Sequence, residues 1–350
     1  MNISLTILEN YPLDSLNTLG LKASARYFVA VTTVTELKDA LDFARSKQLN
    51  PLPLGGGSNV VFSDHIDTLV IAINLKGRRT IEQKDKQKDD QKNDIIRVQA
   101  GAGENWHDFV RWTLEQKAYG LENLSLIPGA VGAAPIQNIG AYGVEIKDSF
   151  VALDAVSIDT GELRVFTAQD CAFGYRHSVF KGELCDQYII TSVTFDLNAR
   201  LTPKLDYGHL NALLNQRLKG QTPTGLEISQ AVSDIRQDKL PDPKDLGNAG
   251  SFFKNPMISD TQLKVLRQSY PKLVAYKTGT QWKLAAGWLI DKAGLRGFRQ
   301  GDVGTYEHQA LVLVNHGQAT GKEVIAFSAM IQQKVMDQFG VLLEREPRIY

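Results

Sequence analysis

Residues 121–149 constrain this chain more than any other stretch, because they are rich in Gly, Ala, Pro and Asn. The segment is too apolar to stay disordered in water and too rich in glycine for a regular helix, so it has to lie against something else. Its central part, IPGAVGAAPIQNIGAYG at 127–143, puts small residues where a backbone could approach a flat ligand closely, and Gln137 and Asn138 add donors and acceptors. A packed crossing of two main chains would account for it as well. A second cluster, GGGSN at 55–59, offers Gly55 and Gly57 as the start of a G-x-G-x-x-G pattern, but position 60 is Val and an apolar strand follows in place of a helix. That disfavours a Rossmann fingerprint. What remains is either a plain turn or a nest of glycine amides, joined by the Ser58 hydroxyl and the Asn59 amide, aimed at a pyrophosphate. Two such segments in one domain favour a single extended dinucleotide over two unrelated turns.

The 350 residues are enough for two or three domains with their own cores. Hydrophobic residues at 43% and charged residues at 22% are the balance of a globular protein, and 39 basic against 39 acidic side chains leave no global field to attract nucleic acid or an anionic membrane. The N-terminus MNISLTILENYPLD lacks a basic region followed by an apolar one, and no run approaches the roughly 18 apolar residues needed to span a bilayer. A cytoplasmic location is the default expectation. Two cysteines, Cys171 and Cys185, cannot make the disulfide framework of a secreted module and are expected to be reduced.

Local patterns predict the main elements. In TTVTELKDALDFARSKQLN, Thr33 and Glu36 form a capping box and Leu37, Ala40, Leu41 and Ala44 share a helical face, with Asn50 as the stop. Strand PLPL, the glycine turn and strand VVF follow. NWHDFVRWTLEQKAYG predicts a second helix with Trp106, Phe109, Val110 and Leu114 inward and Gly120 as its stop, and IEQKDKQKDDQKND at 81–94 is too densely charged to pack. Alternation of Val193, Phe195 and Leu197 predicts a half-buried strand, and 151–198 an antiparallel sheet. Helical runs at 261–270 and 284–293, a strand at 311–314 and a last helix from Thr320, with Glu323 at its third position and Gly340 past its end, complete the reading. Strands and helices are partly segregated, which favours α+β over a doubly wound fold.

Chemistry-bearing residues are fewer. FGYRHSVFK at 173–181 alternates aromatic and basic side chains; it fits a surface strand with a stacked arginine, or a site in which the planar guanidinium of Arg176 meets a carboxylate. The histidines at 65, 107, 177, 209, 308 and 316 include no i, i+4 pair and neither cysteine has a CxxC partner, so no metal site is expected. Ser251, in GNAGSFFKNP, lacks the GxSxG setting of a hydrolase nucleophile. It is either a turn residue or a proton donor in a dry site.

Taken together, NTLG (17–20), PLGGGSNVVFSD (53–64), GAGENWHDFV (101–110), GLENLSLIPG (120–129), PIQNIGAYGVE (135–145), FGYRHSVFK, KLPDPKDLGNAGSFFKNP (239–256) and KLAAGWLID (283–291) closely resemble the UDP-N-acetylenolpyruvoylglucosamine reductase family, in the family's order and over nearly the whole chain. The resemblance implies a cytoplasmic, NADPH-dependent flavoenzyme of peptidoglycan precursor synthesis. Its fold would be α+β, a two-part FAD-binding module with subdomains at 1–75 and 76–238, a separate substrate domain at 239–340, and a tail at 341–350 returning to the active site. LDYGHLNALL resembles the subgroup with a substrate-site tyrosine loop. FAD would lie along Gly55, Gly56, Gly57, Ser58 and Asn59 and against Pro128, Gly129, Gly132, Ala133, Ala134, Gln137, Asn138, Gly140, Ala141 and Gly143. Ser251 matches the family's proton donor, and Arg176 and Glu346 the partners of the enolate-like intermediate. In LLEREPRIY only the register ending EPR fits the acid-then-arginine pattern, which selects Glu346 over Glu344. Tyr142, Tyr175, Tyr207, Lys239 and Asn255 carry over as substrate contacts, Lys239 and Tyr207 being suited to the diphosphate. The implied partners are NADPH and UDP-N-acetylglucosamine enolpyruvate, with no nucleic acid, membrane or metal, and a monomer is expected. A related FAD-dependent oxidase and a non-catalytic UDP-sugar sensor are the alternatives.

Overall fold

Thr33 begins the first helix as its sequence requires: its hydroxyl accepts the Glu36 N–H at 3.1 Å, and the Glu36 carboxylate accepts the Thr33 N–H at 3.2 Å. In the computed structural model, which describes residues 5–81, 95–207 and 209–350, this helix runs Val34–Ser46 and buries Leu37, Ala40, Leu41 and Ala44. It stops short of Asn50, because Gln48 already takes the left-handed conformation at φ 56°. The second helix, Trp106–Glu115, is capped by the Asn105 side chain and likewise ends early, at a left-handed Lys117 and not at Gly120. The charged run lies, from residue 82 onward, outside the described residues.

The chain divides into two compact units, each built from separated segments. The first comprises residues 1–11, 25–56 and 67–237. Its main sheet is antiparallel and five-stranded, in the order Leu163–Thr167, Phe150–Ser157, Tyr188–Asn198, Ile95–Gly101, Arg78–Ile81. Val193, Phe195 and Leu197 point inward at zero exposure, and Trp106 and Phe109 pack their rings onto Phe195 at 6.0 and 5.6 Å. Burying side chains of this size contributes roughly 1.5–3 kcal/mol each. Leu52–Leu54 runs parallel to His65–Ile73 at the edge of a second, four-stranded sheet and delivers the chain into the 55–59 glycine turn. A smaller helical cluster of Leu210, Leu214, Ile228, Ala231, Val232 and Ile235 packs against Tyr142, Leu201 and Leu205.

The second unit comprises residues 12–24, 57–66 and 238–350. An antiparallel sheet ordered Gly247–Ser251, Val312–Asn315, Val303–Thr305, Arg299–Gln300 and a three-stranded one, Met257–Ile258, Gln281–Leu284, Ala275–Thr278, form its frame. The Gly321–Phe339 helix closes its core, with Thr320 and Glu323 in a capping box and Gly340 left-handed at its end. The helices expected at 261–270 and 284–293 are Asp260–Ser269 and Ala286–Lys292. Among the described residues, no helix is long and apolar enough to cross a membrane.

Candidate functional site

In the first unit, the strand Leu52–Leu54 carries Gly55 and Gly56 out to the surface and across the 128–143 segment. A Cβ on Gly56 would lie 2.9 Å from Gly129 Cα, so two main chains cross here and glycine is required for the crossing. The main-chain crossing that is the alternative reading of 127–143 is therefore present. Beside it, Gly55 faces only the Cβ atoms of Ala130 and Ala133, at 3.5 and 3.9 Å. A ledge of main chain and small side chains suits the close approach of a flat, phosphate-bearing cofactor such as FAD.

Asn138 is fully buried and left-handed at φ 45°. Its amide donates to Glu145 Oε2 and the Gly174 carbonyl, and its Oδ1 accepts the Lys147 N–H. The side chain holds the 138–147 turn together, and main chain is what this position can offer a ligand. Gln137 Oε1 accepts from Lys181 Nζ at 3.2 Å. FGYRHSVFK is a turn and not a strand: Gly174 and His177 bridge antiparallel, and Arg176 sits left-handed at φ 51° with Nη2 donating to the Gly140 carbonyl at 2.9 Å. Its guanidinium carbon lies 5.9 Å from the Tyr175 ring centre. Left-handed conformations in non-glycine residues are uncommon and cluster at functional sites, and Leu126, Asn138, Tyr142 and Arg176 all adopt one. Tyr142 and Tyr207 meet edge to face at 6.1 Å. Burial raises the Tyr142 phenol above its ordinary value, so it stays a neutral donor.

Three residues that the sequence left unassigned join this cluster. Arg236, on the Gly225–Lys239 helix, donates Nε to the Leu126 carbonyl at 3.1 Å, and burial pushes its guanidinium below the ordinary value, with like charge from Arg176 adding a smaller push. His107 accepts the Leu126 N–H on Nδ1 at 2.9 Å, and burial lowers its pKa, so the ring is held neutral. Asn123 donates to the Tyr142 and Lys204 carbonyls. No local pattern announces these residues; only the fold brings helix, turn and loop together. Arg176 and Arg236 give the cluster a cationic side that suits a carboxylate or diphosphate.

In the second unit, Gly57 is left-handed at φ 63°, and a Cβ there would sit 1.9 Å from the Leu16 carbonyl oxygen. Its own carbonyl accepts the Thr18 N–H at 3.0 Å, while the Thr18 hydroxyl donates to the Asn248 carbonyl at 2.6 Å. NTLG thus seats both the Ser58–Asn59 turn and the strand that ends at Ser251. Ser251 is an exposed residue. Beyond it, the Glu346 N–H donates to the Phe252 carbonyl at 2.9 Å and the Lys254 N–H to the Glu344 carbonyl at 2.8 Å. On the tail's other edge, the Arg348 N–H donates to the Asn59 carbonyl at 3.1 Å, Asn59 Nδ2 reaches the Glu346 carbonyl at 3.4 Å, and Arg348–Ile349 pairs parallel with Val60–Val61. The tail is therefore a strand inserted between the turn and the serine segment, which brings Asn59, Ser251 and Glu346 together. Glu344 is ion-paired with Lys254. Asn255 Oδ1 accepts the Ala286 N–H at 2.9 Å and caps the Ala286–Lys292 helix, so its amide nitrogen is the end available for a ligand. Lys239 is exposed at the end of its helix.

Residues 25–167 match an FAD-binding domain model, and residues 242–350 match the C-terminal domain of UDP-N-acetylenolpyruvoylglucosamine reductase. A reductase of that name from Flavobacterium johnsoniae is 46% identical over 98% of this chain and 99% of its own length. The chain belongs to the UDP-N-acetylenolpyruvoylglucosamine reductase family. The same-named proteins of Pseudomonas putida and Pseudomonas aeruginosa are 48% and 47% identical, covering 98% and 99% of this chain and 98% and 100% of their own. The crystal structure of the Thermus caldophilus reductase shares the fold, with a TM-score of 0.64 at 24% identity over 99% of this chain and 98% of that one. Family membership makes this an FAD-dependent oxidoreductase with the expected α+β fold, and it decides against the oxidase reading.

Proposed function

We propose that the chain reduces the enolpyruvyl ether of UDP-N-acetylglucosamine enolpyruvate to UDP-N-acetylmuramate with NADPH as the reductant, in the cytoplasm and as a monomer. Residues 55–59 and the 128–143 ledge would hold FAD, which would supply the hydride chemistry that links NADPH to the terminal methylene carbon of the ether. Ser251 supplies the proton to the neighbouring carbon: its O–H bond breaks as the new C–H bond forms, and the serine acts as a general acid. Arg176 faces the substrate carboxylate, where a fixed guanidinium stabilises charge that develops only during the reaction. Glu346 hydrogen-bonds the same enolate-like species. Tyr142, Tyr175, Tyr207, Lys239 and Asn255 hold the sugar nucleotide, with Lys239 and Tyr207 on the diphosphate. Ser251 is an exposed residue, and bound ligands would supply the dry surroundings that its role needs.

The observation that supports this reading is the inserted tail strand, whose Glu346 N–H to Phe252 carbonyl bond joins the Glu346 main chain to that of the residue after Ser251. Glu344, the other acid of the tail, is ion-paired with Lys254, which is consistent with the choice of Glu346. The test is an anaerobic two-step experiment on Ser251→Ala. NADPH should bleach the flavin at the wild-type rate, and reoxidation by the enolpyruvyl substrate should slow by ~10²- to 10⁴-fold, as for loss of a positioned acid. Reoxidation at a near-normal rate would remove Ser251 from the proton-donor role.

A further inference from the structure

Asn123 is 1% exposed, and its side-chain NH₂ is shared between two carbonyls far apart in sequence: Tyr142 O at 2.9 Å and Lys204 O at 2.8 Å. Each acceptor belongs to a segment that bears a tyrosine of the site. Tyr142 is itself in the left-handed region at φ 47°, a conformation that a non-glycine residue keeps only when its surroundings enforce it. Lys204 lies three residues before Tyr207, in a stretch (residues 199–207) without helix or strand, and its ammonium reaches Asp148 at 3.5 Å on the far side of the same turn. The two tyrosine rings then meet edge to face, 6.1 Å apart. We infer that Asn123 is a positioning residue, a two-donor clamp that fixes the Tyr142 turn and the Lys204–Tyr207 loop in one register, so that Tyr207 is presented to the sugar nucleotide in its binding pose.

The chemistry of the amide explains why asparagine is needed. An NH₂ group carries two N–H donors about 120° apart and can satisfy two separate acceptors, whereas a carboxylate has none and a hydroxyl has one. Leucine has nearly the same shape and would leave both carbonyls without their donor; aspartate would set oxygen against oxygen. Both bonds of the clamp go to the protein's own main chain, so its effect on binding is through population. If the binding-competent arrangement of the loop falls to a tenth of molecules, the apparent dissociation constant rises about tenfold, with no contact to the ligand lost.

This inference rests on the reading of Tyr207 as a substrate contact, and the experiment separates the two. UDP-N-acetylglucosamine enolpyruvate binding to the oxidised holoenzyme is measured by calorimetry for wild type, Asn123→Leu, Tyr207→Ala and the double variant. The expected result is weakening of about tenfold for each single variant and a double variant no worse than Tyr207→Ala, because residues that act as a unit are not additive. A second readout is independent of substrate: trypsin should cut after Lys204 faster in Asn123→Leu than in wild type, as a released loop allows. If Tyr207→Ala weakens binding while Asn123→Leu leaves both binding and the cleavage rate unchanged, the clamp is refuted. If the two losses simply add, Asn123 does not act through Tyr207. Wild-type binding by Tyr207→Ala refutes the reading of Tyr207 itself, and with it the clamp's purpose.

Discussion

Gly57 and Gly250 form a matched pair that separates backbone strain from steric conflict. Both are left-handed, at φ 63° and 65°, so an alanine at either site meets the same penalty of roughly 1–2 kcal/mol. Their surroundings differ completely. A Cβ at Gly250 has nothing within 4 Å, whereas one at Gly57 would meet Leu16 O at 1.9 Å, Leu16 C at 2.8 Å and Asn17 Cα at 3.0 Å. The oxygen would have to retreat by about 1.4 Å to reach an ordinary carbon–oxygen contact. That shift opens the turn and endangers the Thr18 N–H bond to the Gly57 carbonyl, which adds about 0.5–1.5 kcal/mol to an overpacking cost of roughly 1–3 kcal/mol. Gly57→Ala should therefore destabilise the C-terminal unit by about 3–6 kcal/mol and Gly250→Ala by about 1–2 kcal/mol. Amide hydrogen exchange of the central strand Val312–Asn315 reports this unit separately from the other, and its protection should fall far more in the first variant. Equal losses at the two positions would show that the Leu16 contact contributes nothing.

Two further outcomes follow from buried titratable groups. The Glu122 carboxyl is 3% exposed, accepts the Gly120 N–H at 2.7 Å, and is pushed above its ordinary value of 4.5 by burial. The unfolded chain thus loses this proton first, and wild-type stability should fall relative to Glu122→Gln as pH rises through 4.5 towards the raised folded value; denaturant midpoints across pH 4–8 that run parallel in the two proteins would contradict it. Cys171 is fully buried, with burial pushing its thiol up to about 12, while Cys185 is partly exposed. A thiol reagent at pH 8 should modify Cys185 alone in the native holoenzyme and both cysteines in denaturant, as read by mass spectrometry.

What could be read from the sequence was what is encoded locally. Thr33 with Glu36 and Thr320 with Glu323 are caps closed within four residues, and the alternation of Val193, Phe195 and Leu197 is set by the strand's own period, so these elements stand where their patterns put them. Helix ends were less legible, because Gln48 and Lys117 turn left-handed ahead of the expected Asn50 and Gly120. The glycine segments were legible as surfaces for close approach, and the structure adds that one approaching backbone is the protein's own, Gly56 over Gly129. The tail strand was beyond local reading. Its partners, 59–63 and 252–254, are remote in sequence, and nothing in LLEREPRIY announces a strand paired on both edges. Arg236, His107 and Asn123 stayed hidden for the same reason: each meets its partner through tertiary packing alone.

The patchwork make-up of the second unit has a consequence for biosynthesis. Segments 12–24 and 57–66 leave the ribosome early, yet their structural partners, among them Asn248, Phe62's neighbour Gly321 and the tail strand, are translated last. Nascent chains fold largely in order of emergence. The two early segments can meet each other through the Thr18 N–H to Gly57 carbonyl bond, yet both must wait for their later partners until synthesis is nearly over, and an isolated 238–350 piece would lack the seats that NTLG and the Ser58–Asn59 turn provide.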